Sequence, residues 1–144
     1  MQRSTWLRTA AIVTAAYAGA HTAGMPWTPV TGSAQQAAID AMQGVRFSIF
    51  GVSRSYWDFY QGFGVAISAL LFVQAVLLWQ CGAIAKAGTA DIRPLIVTQL
   101  AGFLAIAVVA AKYIFAPPLI LAVAIALCLV GALIGSRTDA DASV

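Results

Sequence analysis

Charged residues are scarce in this chain. Only 9% of its 144 residues are Asp, Glu, Lys or Arg, and glutamate is absent. A water-soluble domain carries about 25% charged residues, so the composition excludes an ordinary soluble protein. Hydrophobic residues make up 61% of the chain, the mean hydropathy is +0.86, and several apolar runs are long enough to cross a bilayer. The sequence therefore predicts a single integral membrane domain over residues 1–144.

Metal-ligating residues are equally rare. The single histidine, His21, excludes a multi-histidine metal site, and the absence of glutamate excludes a carboxylate-rich di-iron centre. Cys81 and Cys128 lie far apart, do not form a C-x-x-C pair, and read as small buried apolar residues. We therefore predict neither a metal nor a cofactor.

The basic residues are scattered rather than clustered. A net charge of +3 and a pI near 9.2 would suit a nucleic-acid binder, but no basic patch interleaved with aromatics is present. A positive-inside bias of a membrane protein explains the surplus better, and no nucleic-acid partner is expected.

Four apolar segments predict an all-α membrane protein built as a four-helix bundle. The predicted spans are residues 5–25, 60–85, 95–115 and 118–134, followed by a polar tail at 136–144. The first segment also resembles a cleavable signal peptide, because Arg3 and Arg8 precede a short apolar stretch and the run Ala18-Gly19-Ala20. We favour a retained helix, which at about 1.5 Å per residue would be about 31 Å long.

Basic residues orient this bundle. If the N-terminus is cytoplasmic, that side holds five basic residues, namely Arg3, Arg8, Lys86, Arg93 and Arg137. The outer side then holds three, namely Arg46, Arg54 and Lys112. The positive-inside rule therefore predicts that both termini are cytoplasmic.

The first loop contains a further helical pattern. Ser33 and Gln36 have the spacing of a capping box, and apolar residues recur at helical spacing as far as Ile49. We predict a short amphipathic helix over residues 33–49 that does not cross the membrane. It would lie on the membrane surface or cover the side of the bundle.

Asp58 is the most informative polar residue, and it has two interpretations. With Ser55 it has the spacing of a capping box, and with Arg54 it forms an i,i+4 pair, so a structural role explains it fully. The functional interpretation makes Asp58 a proton donor or acceptor, His21 its partner and Arg54 the orienting charge.

Other residues at the predicted outer level are candidates for contact with a hydrophobic ligand. They carry aromatic rings or a single cation, and they are Tyr17, Trp57, Tyr60, Phe63, Lys112 and Tyr113. The aromatic residues at the start of the second span, Phe59 included, also fit an interfacial belt. Alternatively they line a pocket in which Gly62 and Gly64 leave space for a flat apolar ligand. Gln74 and Gln99, in the middle of the second and third spans, are expected to bond each other or a backbone carbonyl.

The layout resembles small bacterial four-helix membrane proteins of the DoxX-like and anthrone-oxygenase-like kind. The shared features are the length, a histidine late in the first span, a long first loop, and the glycine and aromatic residues that begin the second span. The resemblance implies a multi-pass protein of the bacterial inner membrane. Small multidrug-resistance transporters also have four short helices, but they depend on a glutamate in the first helix, which this chain lacks.

Three functions remain open from the sequence. The first is binding of a hydrophobic ligand (lipid, isoprenoid or polycyclic) at an outer-leaflet site, with acid–base isomerisation or cyclisation if the protein is an enzyme. The second is a non-catalytic accessory or structural subunit of a membrane complex. The third is a small transporter, which has less support because no acid lies near the midplane. The expected partners are the bilayer, a hydrophobic small molecule, and a second copy or another membrane protein.

Overall fold

The computed structural model describes residues 2–24 and 30–135. In chain order its elements are α1 (Arg3–Gly24), α2 (Ser33–Gly44), β1 (Arg46–Ile49), β2 (Val52–Ser55), α3 (Tyr56–Ala87), α4 (Arg93–Tyr113) and α5 (Ala116–Ile134). The described chain is therefore mostly helical, as predicted, with one short antiparallel hairpin in addition. Met25 and the predicted polar tail at 136–144 lie outside the described residues.

Three helices of the described chain, α3, α4 and α5, are long and apolar enough to cross a membrane. The first predicted span is also helical, as α1, but it is not among these three. Arg8, His21 and several threonines interrupt its apolar run, and seven of its 22 residues are alanine. Three apolar helices of membrane-spanning length are thus confirmed in the described chain and support a membrane protein, whereas the fourth span stays a prediction.

The three apolar helices begin earlier than the sequence indicated. Helix α3 begins at Tyr56 rather than at residue 60, and its 32 residues correspond to about 48 Å. That length exceeds the roughly 30 Å of a hydrocarbon core. Helices α4 and α5 each begin two residues before the predicted start, with proline in the first turn. Proline is tolerated there because its missing N–H would have no intrahelical acceptor.

The predicted helix over residues 33–49 is wrong in its last five residues. Helix α2 ends at Gly44, and Arg46–Ile49 pairs with Val52–Ser55 as an antiparallel hairpin. The error arose because Val45 and Ile49 also have helical spacing with Met42. Alternation along Arg46–Ile49 and the Phe50-Gly51 turn favour the hairpin instead.

The predicted capping box at Ser33 is also wrong. The N-cap residue is Gly32, and no side chain caps the helix. Instead, the backbone N–H and the hydroxyl of Thr31 lie 3.1 and 3.3 Å from Gln35 Oε1, and Gln36 Nε2 donates to Asp40 Oδ1 at 2.7 Å. No residue of α2 is buried, so its role as an amphipathic surface helix stays a prediction.

The chain divides into two compact units, residues 1–17 with 71–144 and residues 18–70. In the first unit, α4 packs against α5. Gly131 lies against the indole of Trp6, so that a Cβ at this position would come within 2.6 Å of the ring. In the same unit, Gln99 Nε2 donates to Gln74 Oε1 at 3.0 Å, which confirms the predicted glutamine pair.

Candidate functional site

The start of α3, in the unit of residues 18–70, is shaped by a reciprocal capping box. The backbone N–H of Ser55 donates to Asp58 Oδ2 at 2.8 Å, and the backbone N–H of Asp58 donates to Ser55 Oγ at 3.1 Å. These two bonds satisfy donors that a helix start otherwise leaves without partners. Ser55 is buried and Asp58 is exposed. The predicted capping box of Ser55 and Asp58 is therefore confirmed.

Arg54 lies on the hairpin and not in the helix. Strand β2 ends at Ser55, so Arg54 and Asp58 are not an i,i+4 pair on one helix face. The Arg54 guanidinium donates to the carbonyl oxygen of Ser53 at 3.0 Å. Arg46, on the other strand, donates to the hydroxyl of Ser53 at 3.2 Å. Both guanidinium groups are thus held on the hairpin, close to the start of α3.

His21 is held at a different level of α3 from Asp58. Its ring Nδ1 shares a hydrogen bond of 3.0 Å with Ser68 Oγ, and both residues are half-buried. Ser68 follows Asp58 by ten positions on one helix, which corresponds to about 15 Å along its axis. Direct proton transfer needs hydrogen-bond distance. The structure therefore does not bring Asp58 and His21 together for acid–base chemistry.

Aromatic contacts attach the hairpin to α3. The Phe47 ring, on β1, lies 5.2 Å from the Tyr56 ring and 5.1 Å from the Phe59 ring, measured between centroids. Phe59 in turn contacts Phe63 edge-on at 5.8 Å. Such pairs contribute about 0.5–1.5 kcal/mol each beyond their area burial. The hairpin is therefore held against the first two turns of α3 by these ring contacts, in addition to the direct chain connection at residues 55–56.

A cleft follows one face of the N-terminal part of α3. Its volume is about 320 Å³, and its lining residues are Arg54, Asp58, Phe59, Gly62, Phe63 and Ala66. Asp58, Gly62 and Ala66 recur every four residues, so they share one helix face. Because Gly62 has no side chain and nothing lies within 4 Å of where its Cβ would be, this face has an open floor. We call this feature the α3 cleft.

The α3 cleft contains three of the predicted site residues, Arg54, Asp58 and Phe63. The sequence pattern left Phe59 with two interpretations, an interfacial belt or an aromatic-lined pocket beside Gly62, and did not single out Ala66. The four-residue spacing of Asp58, Gly62 and Ala66 is the signal that would have found the cleft. It was hidden because each of these residues has an ordinary role in a membrane helix.

Two predicted ligand residues lie in a second depression. Trp57 and Tyr60, whose rings stack at 5.3 Å, line a hollow of about 230 Å³ together with residues of α2. The remaining lining residues are Gly24, Gln35, Ala38, Ile39 and Met42. Trp57 and Tyr60 therefore line the hollow beside α2 rather than the α3 cleft.

The other predicted ligand residues belong to the unit of residues 1–17 and 71–144. Tyr17 is buried, whereas Lys112 and Tyr113 are exposed at the end of α4. Lys112 Nζ lies 5.0 Å from the centroid of the Tyr113 ring. Within residues 2–24 and 30–135, no three His, Cys, Asp or Glu side chains come together as metal ligands.

Comparison with protein-family models, with curated proteins and with solved structures found no match to this chain.

Proposed function

We propose that this protein binds a membrane amphiphile in the α3 cleft. The observation that carries the proposal is the distribution of chemistry along the cleft. One end holds a guanidinium and a carboxylate, Arg54 and Asp58, and the rest is formed by phenyl rings and small residues. A molecule with a polar head and an apolar chain matches this order. Ligand sites commonly combine an apolar lining with a few polar groups that fix orientation.

The two charged residues, Arg54 and Asp58, indicate which polar head group the cleft would select. Arginine binds phosphate through the planar fork of its guanidinium. A carboxylate accepts several hydrogen bonds, so Asp58 retains acceptor capacity beyond the one from the Ser55 N–H. A head with a phosphate and a hydrogen-bond donor, as in phosphatidylethanolamine, complements both groups. Phosphatidylcholine has the phosphate but lacks the donor.

The apolar part of the cleft favours a chain over a ring system. Its volume, about 320 Å³, is at the low end of the roughly 300–1,000 Å³ of small-molecule sites. Phe59 and Phe63 lie on one side, and Gly62 and Ala66 form a narrow floor along the helix axis. We therefore propose an acyl or prenyl chain as the occupant rather than a polycyclic compound.

Isomerisation or cyclisation is not part of this proposal, because Asp58 caps α3 and His21 is hydrogen-bonded about 15 Å away along the helix. The same cap favours a second candidate function, a non-catalytic accessory or structural subunit. On that account the Ser55–Asp58 box serves only to join the first loop to the membrane helices.

The proposed setting is the bacterial inner membrane, with four spans and both termini cytoplasmic. It is supported by the three apolar helices, by the 22-residue length of α1 and by the excess of basic residues on one side. The resemblance to DoxX-like proteins agrees with this setting.

Epitope tags placed before Met1 and after Gly32 are expected to lie on opposite sides of the membrane, because α1 would cross between them. Protease protection of sealed inverted vesicles measures this directly, and a tag at the C-terminus serves as the cytoplasmic reference. If intact chains carry the first two tags on the same side, α1 does not span and the protein has three spans.

Replacing Arg54 with glutamine is expected to weaken phosphatidylethanolamine binding about 10-fold, because the charge-assisted phosphate contact is lost. Arg46→Gln is the matched control: it removes the same charge from the same hairpin at a residue that does not line the cleft. The two variants are compared by their dissociation constants, which are measured by native mass spectrometry in detergent micelles. Equal weakening by both variants would indicate attraction by the hairpin's overall charge and would refute the cleft as the binding site.

A further inference from the structure

The turn of the hairpin holds an unusual residue. Strand pairing places Ile49 opposite Val52, so the loop between them is only Phe50 and Gly51. Both have positive φ, 52° and 79°, as a type I′ turn requires. Asn, Asp or Gly normally fills the first of these positions, because a larger side chain is strained there. Phe50 is therefore a strained residue, and strained residues of this kind cluster at functional sites.

The turn is also fully exposed. Phe50 is 101% exposed, and the flanking Ile49 and Val52 are 52% and 50% exposed. We call residues 49–52 the hairpin tip. One fully exposed and two half-exposed large apolar side chains at the end of a hairpin are unfavourable in water.

Cations lie behind this apolar tip. Arg46 and Arg54 are on the two strands, and residues 41–57 contain no acidic residue. An apolar end followed by arginines matches the profile of a membrane interface, where apolar groups enter the acyl region and guanidinium groups meet lipid phosphates. An exposed apolar tip followed by arginines is less suited to a surface that faces water.

The hairpin is held close to a membrane helix. Strand β2 ends at Ser55, and α3 begins at the next residue, Tyr56. Phe47 packs on the rings of Tyr56 and Phe59, so the hairpin cannot swing freely on its junction. The hairpin is therefore continuous with the exposed aromatic surface at the start of α3, which meets lipid if α3 spans the bilayer.

We infer that the hairpin tip inserts into the headgroup–acyl boundary of the bilayer that contains α3, with Arg46 and Arg54 at the level of the phosphates. Lipid is thus the partner that the apolar tip contacts. Residues 49–52 do not line the α3 cleft, so insertion of the tip is separate from amphiphile binding there, although Arg54 belongs to both surfaces.

A nitroxide label at Val52→Cys tests the position of the tip. The background carries Cys81→Ala and Cys128→Ala, which exchange two small buried residues, and the protein is reconstituted in vesicles of phosphatidylethanolamine and phosphatidylglycerol. We expect relaxation by oxygen, which partitions into lipid, to exceed relaxation by a water-soluble nickel chelate. The control label, Gln43→Cys on exposed α2, should show the reverse order.

Two outcomes would overturn the inference. Stronger relaxation of the Val52 label by the nickel chelate than by oxygen would place the tip in water. An immobile label that is shielded from both reagents would place it against a protein, either a second copy or another subunit.

A second substitution separates lipid anchoring from turn formation. Phe50→Asn introduces a residue that type I′ turns favour, so the hairpin should persist while its apolar anchor is lost. We expect the oxygen-to-nickel accessibility ratio at the Val52 label to fall at least threefold. Phe50→Leu should retain most of the original ratio. An unchanged ratio in Phe50→Asn would show that Phe50 is not the anchor.

Discussion

Replacing Gly62 with leucine is expected to abolish measurable amphiphile binding while leaving the protein folded. The leucine side chain would occupy the floor of the α3 cleft, where the ligand chain is proposed to lie. Nothing lies within 4 Å of an added Cβ at Gly62, so the substitution creates no clash at its base. Leucine also has a higher helix propensity than glycine. We expect the dissociation constant for phosphatidylethanolamine to rise at least 30-fold, as measured by native mass spectrometry.

The matched control for this variant is Gly102→Leu in α4. Gly102 also lies in a helix of spanning length, and an added Cβ there likewise meets nothing within 4 Å. It does not line the α3 cleft. Binding by this variant should be within about twofold of the original protein. Wild-type affinity in Gly62→Leu, or an equal loss in both variants, would contradict the proposed location.

Replacing Asp58 with alanine is expected to lower the free energy of unfolding by about 1–2 kcal/mol, the cost of leaving a buried N–H without its hydrogen-bond acceptor. The substitution removes the acceptor of the Ser55 N–H, and Ser55 is buried. Asp58→Asn keeps an oxygen at the same place, so its stability should remain within about 0.5 kcal/mol of the original. Thermal unfolding in detergent, followed by circular dichroism, measures both variants.

Asp40→Ala provides the comparison for Asp58→Ala. Asp40 also accepts one side-chain hydrogen bond, from Gln36, but it lies on exposed α2 outside any cap. We expect its loss to cost only about 0.2–0.5 kcal/mol, as for exposed i,i+4 pairs. Equal destabilisation by the two alanine variants would show that the Ser55–Asp58 box does not stabilise the start of α3.

Features that depend on short stretches of sequence were predicted well. The apolar helices follow from runs of about 20 residues, since a bilayer sets the length that such runs must have. The box at Ser55 and Asp58 is local, because its two partners are three residues apart and need no distant contact. The Gln74–Gln99 pair was found because each glutamine lies mid-span, where an amide needs a partner.

The hairpin was missed because its signals are short and ambiguous. Arg46–Ile49 has only four residues, and Val45 and Ile49 fit a helix period as well as a strand. Phe50 gives no turn signal, since phenylalanine is unusual at positive φ. A typical Asn-Gly turn would have marked this position in the sequence.

The predicted pairing of His21 with Asp58 failed for a different reason. Membrane topology gives the approximate depth of a residue but not its neighbours, and a few residues along a helix change that depth by several ångströms. His21 is hydrogen-bonded to Ser68, a residue that carried no functional signal in the sequence. The α3 cleft likewise depends on how the hairpin places Arg54 beside Asp58, which no local pattern specifies.

The position of a bound amphiphile is the most direct test of amphiphile binding in the α3 cleft. A phosphatidylethanolamine that carries a diazirine on its acyl chain is incorporated into membranes containing the protein, photolysed, and its adducts are located by mass spectrometry. We predict adducts concentrated between Phe59 and Ala66, displaced by excess unlabelled phosphatidylethanolamine and lost in Gly62→Leu. Adducts spread evenly over the exposed faces of α3, α4 and α5, with no displacement by competitor, would contradict the account.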